Sequence, residues 1–331
     1  MPREVLLLRR DEVRQVLDMA SCIDAVERAF IAYSTGQAEL PAVIHLEVPE
    51  HRGEIHVKAG HLHGGAHYAV KVASGFSDST PPTIDGMVLV FDARTGAPAA
   101  LLLDDGLITD VRTGAAGGVA ARALAPEAVR TVGVLGTGLQ ARHQIEALAC
   151  VRPGFGQVRV WGRSEERAQA CANDLRAHPS TPAGCDVRTV ESAQAAVEGA
   201  DVVITCTASR EPIVRATWLA PGSHVTAVGS DGADKQELDI DVLTSADLVA
   251  VDSRRQTASI GELHHAVDAG ALLPEDVAEL GEIASGARPG RISQRWRTVC
   301  DLTGVGVQDV VAAELVLERA VSSGLGQRIA L

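Results

Sequence analysis

The run GVLGTGLQA, residues 133–141, constrains the fold of this chain more than any other segment. An apolar stretch, TVGVL, runs into it, and a helix-like stretch, LQARHQIEALACV, leaves it. Gly136 makes the tight turn, and Gly138 lets a pyrophosphate approach the backbone at a helix N-terminus. Ala141 takes the third place of the GxGxxG/A pattern, small enough for close helix–strand packing. Alone, the pattern also describes a plain βα turn. The context favours a dinucleotide site, because a strand precedes it, a helix follows, and a second strand comes about 25 residues later. The residues expected at the cofactor are Gly136, Thr137, Gly138, Leu139 and Gln140.

From about Val129 onward, short apolar runs alternate with helical stretches. The runs are QVRVWGRS, VRTV, ADVVITCT, SHVTAVGS and DLVAVDS, with EERAQACANDLRA and ESAQAAVEG between some of them. Buried strands alternating with helices imply a doubly wound parallel sheet, the α/β class. Thr207, closing ADVVITCT, joins the expected cofactor set. The end of the second strand reads Trp161-Gly162-Arg163-Ser164, with no acid before Glu165. An Asp or Glu there would hold a ribose 2′-hydroxyl, whereas Arg163 and Ser164 suit a 2′-phosphate. The charge pattern therefore favours NADP(H), with NAD(H) as the alternative if Arg163 is only a solvated loop cation.

The first third of the chain has another texture. VLLL, from Val5 to Leu8, fits a strand. A helix is expected from about Ser21, with Ser21 and Asp24 as a capping-box variant and Gly36 as its end. Residues 40–104 read as strands in an antiparallel or mixed sheet: AVIHLEV, GEIHVKAG, HYAVKVASGF and GMVLVFDA, with a turn at Arg94-Thr95-Gly96. The tail VQDVVAAELVLERAVSSG is helical and is expected to return to this first domain. The expected division is a discontinuous α+β domain of 1–125 plus 305–331 and a Rossmann domain of 126–304.

Composition narrows the function. A length of 331 residues gives about two domains at the usual size. With 3% aromatic residues and a net charge of −13, the chain lacks the stacking rings and basic surface of a nucleic-acid binder. A small anion in a local pocket is still allowed. Cys22, Cys150, Cys171, Cys185, Cys206 and Cys300 form no CxxC pair and read as buried, reduced thiols of a cytosolic protein. The apolar run in MPREVLLLRRDEV is too short for a signal peptide, and no stretch reaches the ~18 uncharged apolar residues of a membrane span. The expectation is a cytoplasmic protein without a membrane partner.

Three residues carry candidate chemistry. Lys71 interrupts an apolar alternating strand, where an ammonium is costly unless paired. Arg112, ahead of the small-residue run TGAAGG, could clamp a carboxylate. Asp231 follows the strand SHVTAVGS, at the sheet edge where ligands bind. Each also has a bland reading: a snorkelling lysine, a surface ion pair, a turn aspartate. His56, His61, His63 and His67 cluster in sequence, with His61 and His63 on one strand face, but no acid or cysteine set completes a metal site and none is expected. His264 and His265 read as a helix-surface pair. No GxSxG nucleophile turn occurs.

Together these features resemble the ornithine cyclodeaminase/mu-crystallin family over nearly the whole chain. The markers are KVASGF, LVFDARTGAPAALLLDDGLITDVRTGAAGGVAARALA, VGVLGTGLQARHQIEAL, the SDG followed by ELD, and TGVGVQDVVAAELV. VPEHRGEIHVKAG is most similar to the ectoine-utilisation branch. The resemblance implies a homodimer whose sheet domain binds substrate and whose Rossmann domain holds the nicotinamide. It implies hydride transfer at the α-carbon of an amino or imino acid, by an imine reductase or amino-acid dehydrogenase, or alternatively by an ammonia-releasing cyclodeaminase. It implies that Lys71 handles protons beside the reacting carbon and Arg112 clamps the α-carboxylate. Asp231 would hold a substrate amine or assist the leaving group or water. One departure stands out. The family's second Arg or Lys after the first-sheet proline is missing, because Ala42 and Val43 follow Pro41. Lys58, or less favourably Arg52, would replace it, which points to a differently shaped or doubly charged substrate.

Overall fold

The computed structural model describes residues 4–76, 78 and 83–331; Met1–Arg3 of the N-terminal segment lie outside the described residues. The chain divides into two units, Met1–Arg112 with Val305–Leu331, and Thr113–Gly304.

In the first unit, β1 (Glu4–Arg9) leads to α1 (Arg10–Val16) and α2 (Met19–Ser34). Then follow β2 (Ala38–Glu39), β3 (Ile44–Val48), β4 (Gly53–Leu62), β5 (His67–Phe76), β6 (Thr83–Asp92) and β7 (Pro98–Leu103). Helix α3 (Leu107–Leu124) comes next. Helix α2 begins two residues before the expected start. Asp18 is its cap, since its carboxylate accepts the Ser21 N–H at 2.9 Å, so the Ser21/Asp24 assignment is replaced. The turn after β6 is as expected: Asp92 Oδ1 accepts from Arg94 N, Thr95 N and Thr95 Oγ1, and Gly96 has φ +70°. The sheet is mixed. β3 to β7 pair antiparallel, and β1 joins β7 in parallel.

The last helix, Gly306–Ser323, belongs to this unit and packs on α2, β4 and β5. Its Val307, Val310, Ala313 and Leu317 are buried, so its apolar face supplies core; each large aliphatic side chain buried this way stabilises the unit by about 1.5–3 kcal/mol. Gly306 sets its closeness to β4, because a Cβ there would lie 2.4 Å from the Ala59 carbonyl oxygen. The break between units falls at Arg112, inside α3, rather than after residue 125. Sequence texture marks where a helix ends; contacts mark where its allegiance changes.

The second unit opens with β8 (Thr131–Leu135), α4 (Leu139–Val151), β9 (Gln157–Trp161), α5 (Glu165–Ala177) and β10 (Asp186–Thr189). β11 (Val202–Thr205), β12 (Arg210–Val214), β13 (His224–Ala227), β14 (Gln236–Leu238) and β15 (Leu248–Val251) follow. β16 (Ala278–Glu279) and β17 (Thr298–Asp301) complete it, while β18 (Gln327–Ala330) pairs with β1 in the first unit. The main sheet runs β10-β9-β8-β11-β13-β17-β15-β16, wholly parallel. Order reverses on either side of β8, which places a topological switch point at the glycine turn. Two aliphatic layers fill this unit, one around Val132, Val134, Ile145 and Val160, the other around Val203, Val225, Val251 and Val299. The α/β Rossmann reading therefore holds.

Candidate active site

The first unit gathers a buried charged centre. Lys71, on β5, is 3% exposed, and its Nζ donates to Asp309 Oδ1 at 3.1 Å. Arg112, on α3, is 4% exposed; its Nε donates to the same oxygen at 2.8 Å, and its Nη1 to Gln308 Oε1 at 2.8 Å. Gln308 and Asp309 occupy the first turn of the Gly306–Ser323 helix, which the Gly306–Ala59 approach presses onto β4. Lys58 pairs directly across from Lys71 in the β4–β5 register.

Electrostatics follow from burial and neighbours. Burial, then repulsion from Arg112 and Lys58, pull the Lys71 ammonium down to about 7, against the attraction of Asp309. Burial would raise Asp309, but Arg112, Lys71 and Lys58 together hold it below the usual carboxylate range. Asp104 accepts the Ile108 N–H at 2.7 Å, and burial pushes it up to about 6. Three buried polar atoms here have no partner among the described residues: Asp104 Oδ1, Gln308 Nε2 and Asp309 Oδ2. Buried polar groups are nearly always satisfied, so these are places where a water or ligand belongs.

Gln308, Asp309 and Asp104 were not singled out by sequence. The available signal was two adjacent polar residues inside the apolar helix VGVQDVVAA.

In the second unit, the turn after β8 opens a cleft of about 490 Å³ lined by Gly136, Thr137, Gly138, Arg163, Ser164 and Thr207, with Arg167 and Ser209 added by the structure. Gly136 has φ +131°, and a Cβ there would lie 2.6 Å from the Cys206 carbonyl oxygen. Gly138 is the N-cap of α4 and faces open space, so the helix N-terminus is free to receive a pyrophosphate. Ala141 is fully buried in the helix–sheet layer. These residues fit a dinucleotide. Leu139 and Gln140 do not line the cleft; Leu139 is exposed and Gln140 lies along α4 near Gln144. Ser164 also caps α5, accepting the Arg167 N–H.

The cleft rim rests on a carboxylate network that sequence did not reveal. Glu237 accepts from Thr207 N at 2.5 Å, Thr207 Oγ1 at 2.7 Å, Thr205 Oγ1 at 2.7 Å and Gly229 N at 2.9 Å. Glu262 accepts from Glu237 N and Leu238 N, and Asp301 from Glu262 N and Leu263 N. Burial pushes all three carboxyls up. Asp231 lies four residues beyond β13, exposed and paired with Lys235 at 2.5 Å.

Other expectations need correction. His61, His63 and His67 take separate partners: the His67 carbonyl, Glu39 and Glu314. His56 instead meets His45 and Glu54, whose ligand atoms all lie within 4.8 Å of one another, mostly solvent-exposed. Cross-strand register, invisible in sequence order, brings His45 there. His264 is buried, its Nδ1 against the Gly261 carbonyl oxygen, so it is no surface residue. All six cysteines are free, but Cys150 is exposed and Cys185 and Cys206 are half-buried.

Gly136→Ala tests the turn. The strained φ and the contact with Cys206 predict a stability loss of about 1–3 kcal/mol. Nicotinamide-nucleotide binding should weaken more than roughly tenfold, the equivalent of ~1.4 kcal/mol. Thermal melts and fluorescence titration read both; wild-type affinity in a folded variant would remove the turn from the cofactor site.

A parallel Rossmann unit with a glycine cradle, joined in one chain to a mixed-sheet unit holding a buried lysine–arginine–aspartate centre, defines a class of dinucleotide-fold proteins. The chain belongs to the ornithine cyclodeaminase/mu-crystallin family, whose model matches residues 3–324. A putative dehydrogenase of Rhizobium meliloti (strain 1021) is 41% identical over 325 residues, covering 97% of each chain. An archaeal alanine dehydrogenase dimer with bound NAD superposes with TM-score 0.91 at 33% identity, covering 99% of this chain and 100% of that one. Thermococcus litoralis Delta(1)-pyrroline-2-carboxylate reductase, in complex with NADH and L-proline, also gives TM-score 0.91 at 33% identity, covering 98% and 100%.

Proposed function

We propose that the protein is a nicotinamide-dependent reductase of α-imino acids, working in reverse as an amino-acid dehydrogenase. The observation that carries this is Lys71, buried, held by Asp309 beside Arg112, and poised near neutral pH. Arg112 takes the substrate α-carboxylate, and Gln308 Nε2 adds a neutral donor to it. Lys71 delivers a proton to the imine nitrogen in reduction and removes it in oxidation. Asp309 fixes both cations, so the α-carbon is presented in one pose. The nicotinamide, when bound, supplies or accepts the hydride. Gly136, Thr137, Gly138 and Thr207 hold that cofactor.

NADP(H) is the proposed cofactor form, although the alanine dehydrogenase and the reductase bind NAD and NADH. Arg163 and Arg167 both line the cleft, and among the described residues no acidic one does. Arg163→Asp should therefore weaken NADPH by roughly tenfold or more and leave NADH near its starting affinity. Tighter NADH than NADPH binding in the wild type would contradict the choice.

A homodimer is proposed from the alanine dehydrogenase dimer and from Ile44 and Leu46, which β3 leaves exposed at 62% and 57%. A cytoplasmic location is proposed from six free cysteines. Among the described residues no helix is long and apolar enough to cross a membrane. Placement in the ectoine-utilisation branch rests on VPEHRGEIHVKAG alone. Asp231 favours a second reading, an ammonia-releasing cyclodeaminase in which it holds a substrate amine. A screen of NADH and NADPH consumption against α-keto acids with ammonia or methylamine, and against cyclic imines, tests the reductase reading. No consumption with any of them would overturn it.

A further inference from the structure

We propose that Asp104 is a positioning residue for Lys71, returning the proton that Lys71 gives up in each turnover. This rests on the reading of Lys71 as proton donor to the imine nitrogen.

Ala100 and Leu102 are the inward positions of β7, and Leu102 pairs with Val88, which pairs in turn with Lys71. The strand alternation makes Asp104 the next inward residue, one step along the sheet from Lys71. Asp104 is fully buried. Its Oδ2 accepts the Ile108 N–H, and its Oδ1 has no partner among the described residues. Lys71 and Asp309 are both close enough to act on its charge. The chain beyond it turns through two left-handed residues, Asp105 at φ +48° and Gly106 at φ +79°. Such backbone is uncommon outside glycine and persists where its surroundings enforce it. Arg10 of α1 holds the turn, its Nη1 donating to the Asp104 carbonyl at 3.1 Å and to the Asp105 carbonyl at 2.7 Å. Asp105 is exposed, so solvent begins one residue from the buried carboxyl.

The other groups packed around Lys71 are poor sources of a proton. A guanidinium does not release its own, which sets Arg112 of α3 aside. Asp309, from the last helix, is held ionised by the cations beside it. Burial pushes the Cys22 thiol of α2 up to about 12. Lys58 of β4 acts on Lys71 by repulsion. Asp104 differs, because burial pushes it up to about 6 while Lys71 is pulled down to about 7. Groups so closely matched exchange a proton at little cost in either direction. In reduction, Lys71 passes a proton to the imine nitrogen and becomes a neutral amine. The Asp104 carboxyl protonates that amine from Oδ1 and becomes a carboxylate, and water at the Asp105 turn restores the carboxyl. Oxidation runs the same transfers backwards.

Asp104→Asn keeps the shape and an acceptor for Ile108 but cannot titrate. The test follows reduction of a preformed cyclic imino acid by NADH and NADPH at about pH 6, where Lys71 starts charged. Steady-state kcat should fall roughly tenfold, less than for a proton donor that meets the substrate itself. kcat/KM should hold, because the first proton is already on Lys71. Stopped-flow absorbance should show one turnover per site at the wild-type rate, then a slow phase. Imidazole buffer should speed that slow phase by standing in for the missing carboxyl. Should Asp104→Asn fail to fold by circular dichroism, Asp104→Ser, which still offers Ile108 an acceptor, takes its place in the same comparison. Equal falls in kcat and kcat/KM without buffer rescue would make Asp104 only a structural support of α3; this would overturn the inference and leave the reductase reading standing. An unchanged kcat would do the same. Failure of the wild type to reduce any imine would overturn the reductase reading, and the relay with it, since Lys71 would have no proton to regain.

Discussion

Lys71→Met lowers kcat/KM for imine reduction by roughly a thousandfold, within the range expected when a positioned proton donor is lost. Methionine is close to lysine in length and is apolar, so it suits a site where Lys71 is 3% exposed. Asp309 keeps its bond from Arg112, and the carboxylate clamp survives. Nucleotide binding should be unchanged, because the glycine cradle belongs to the other unit. The pH profile is the sharper readout. Lys71 is lowered to about 7 by burial and by Arg112. Below that pH it carries the proton that reduction needs, so the reductive rate should fall as pH rises through about 7. The oxidative direction needs the neutral amine and should rise over the same interval. Both inflections should vanish in Lys71→Met. A variant that retains the inflection, or the rate, would take proton transfer away from this residue.

Asp309→Ala has the other large effect, chiefly on folding. Asp309 is fully buried and receives Lys71 and Arg112 on one oxygen. Its removal leaves two buried cations without their shared anion, a loss of about 3–5 kcal/mol for a broken buried pair. That is a large part of the usual 5–15 kcal/mol stability of a folded protein, so low soluble yield is expected. Asp309→Asn keeps the shape and an acceptor oxygen and should fold. It should raise KM for the carboxylate substrate, because a neutral amide oxygen holds Arg112 less firmly than the carboxylate does. Chemical denaturation of Asp309→Asn, Lys71→Met and the double variant measures the coupling. The double variant should lose less than the sum of the singles, as contacting groups do. Strict additivity would mean that the Lys71–Asp309 contact contributes nothing.

The dinucleotide unit was legible because its constraints are local. Gly136 needs its positive φ, Ala141 must be small, and both requirements appear as residue types at fixed spacing. Lys71 and Arg112 stood out because a charge in an apolar strand or before a small-residue helix is conspicuous. Their partner did not, because Asp309 lies 238 residues from Lys71 and joins it only when the last helix returns. The same holds for Glu237, Glu262 and Asp301, carboxylates of two strands and a helix far apart in sequence that converge on backbone N–H groups. His45 reaches His56 by strand register rather than by sequence order. Leu139 and Gln140 open α4, so what they offer a cofactor is backbone N–H rather than side chain, and the Leu139 side chain is exposed. The expected strands did not include β17, TVCD, which lies between β13 and β15 in the sheet and holds only two apolar residues in a row.

The most direct measurement follows nicotinamide absorbance and ammonia in the same cuvette. An α-keto acid with ammonia, or a preformed cyclic imine, should consume one reduced nicotinamide for each amine product formed. Ornithine should release no ammonia while the absorbance stays flat. Ammonia release from ornithine with no net absorbance change, and no consumption of reduced cofactor by any imine, would contradict net reduction and establish the cyclodeaminase chemistry instead.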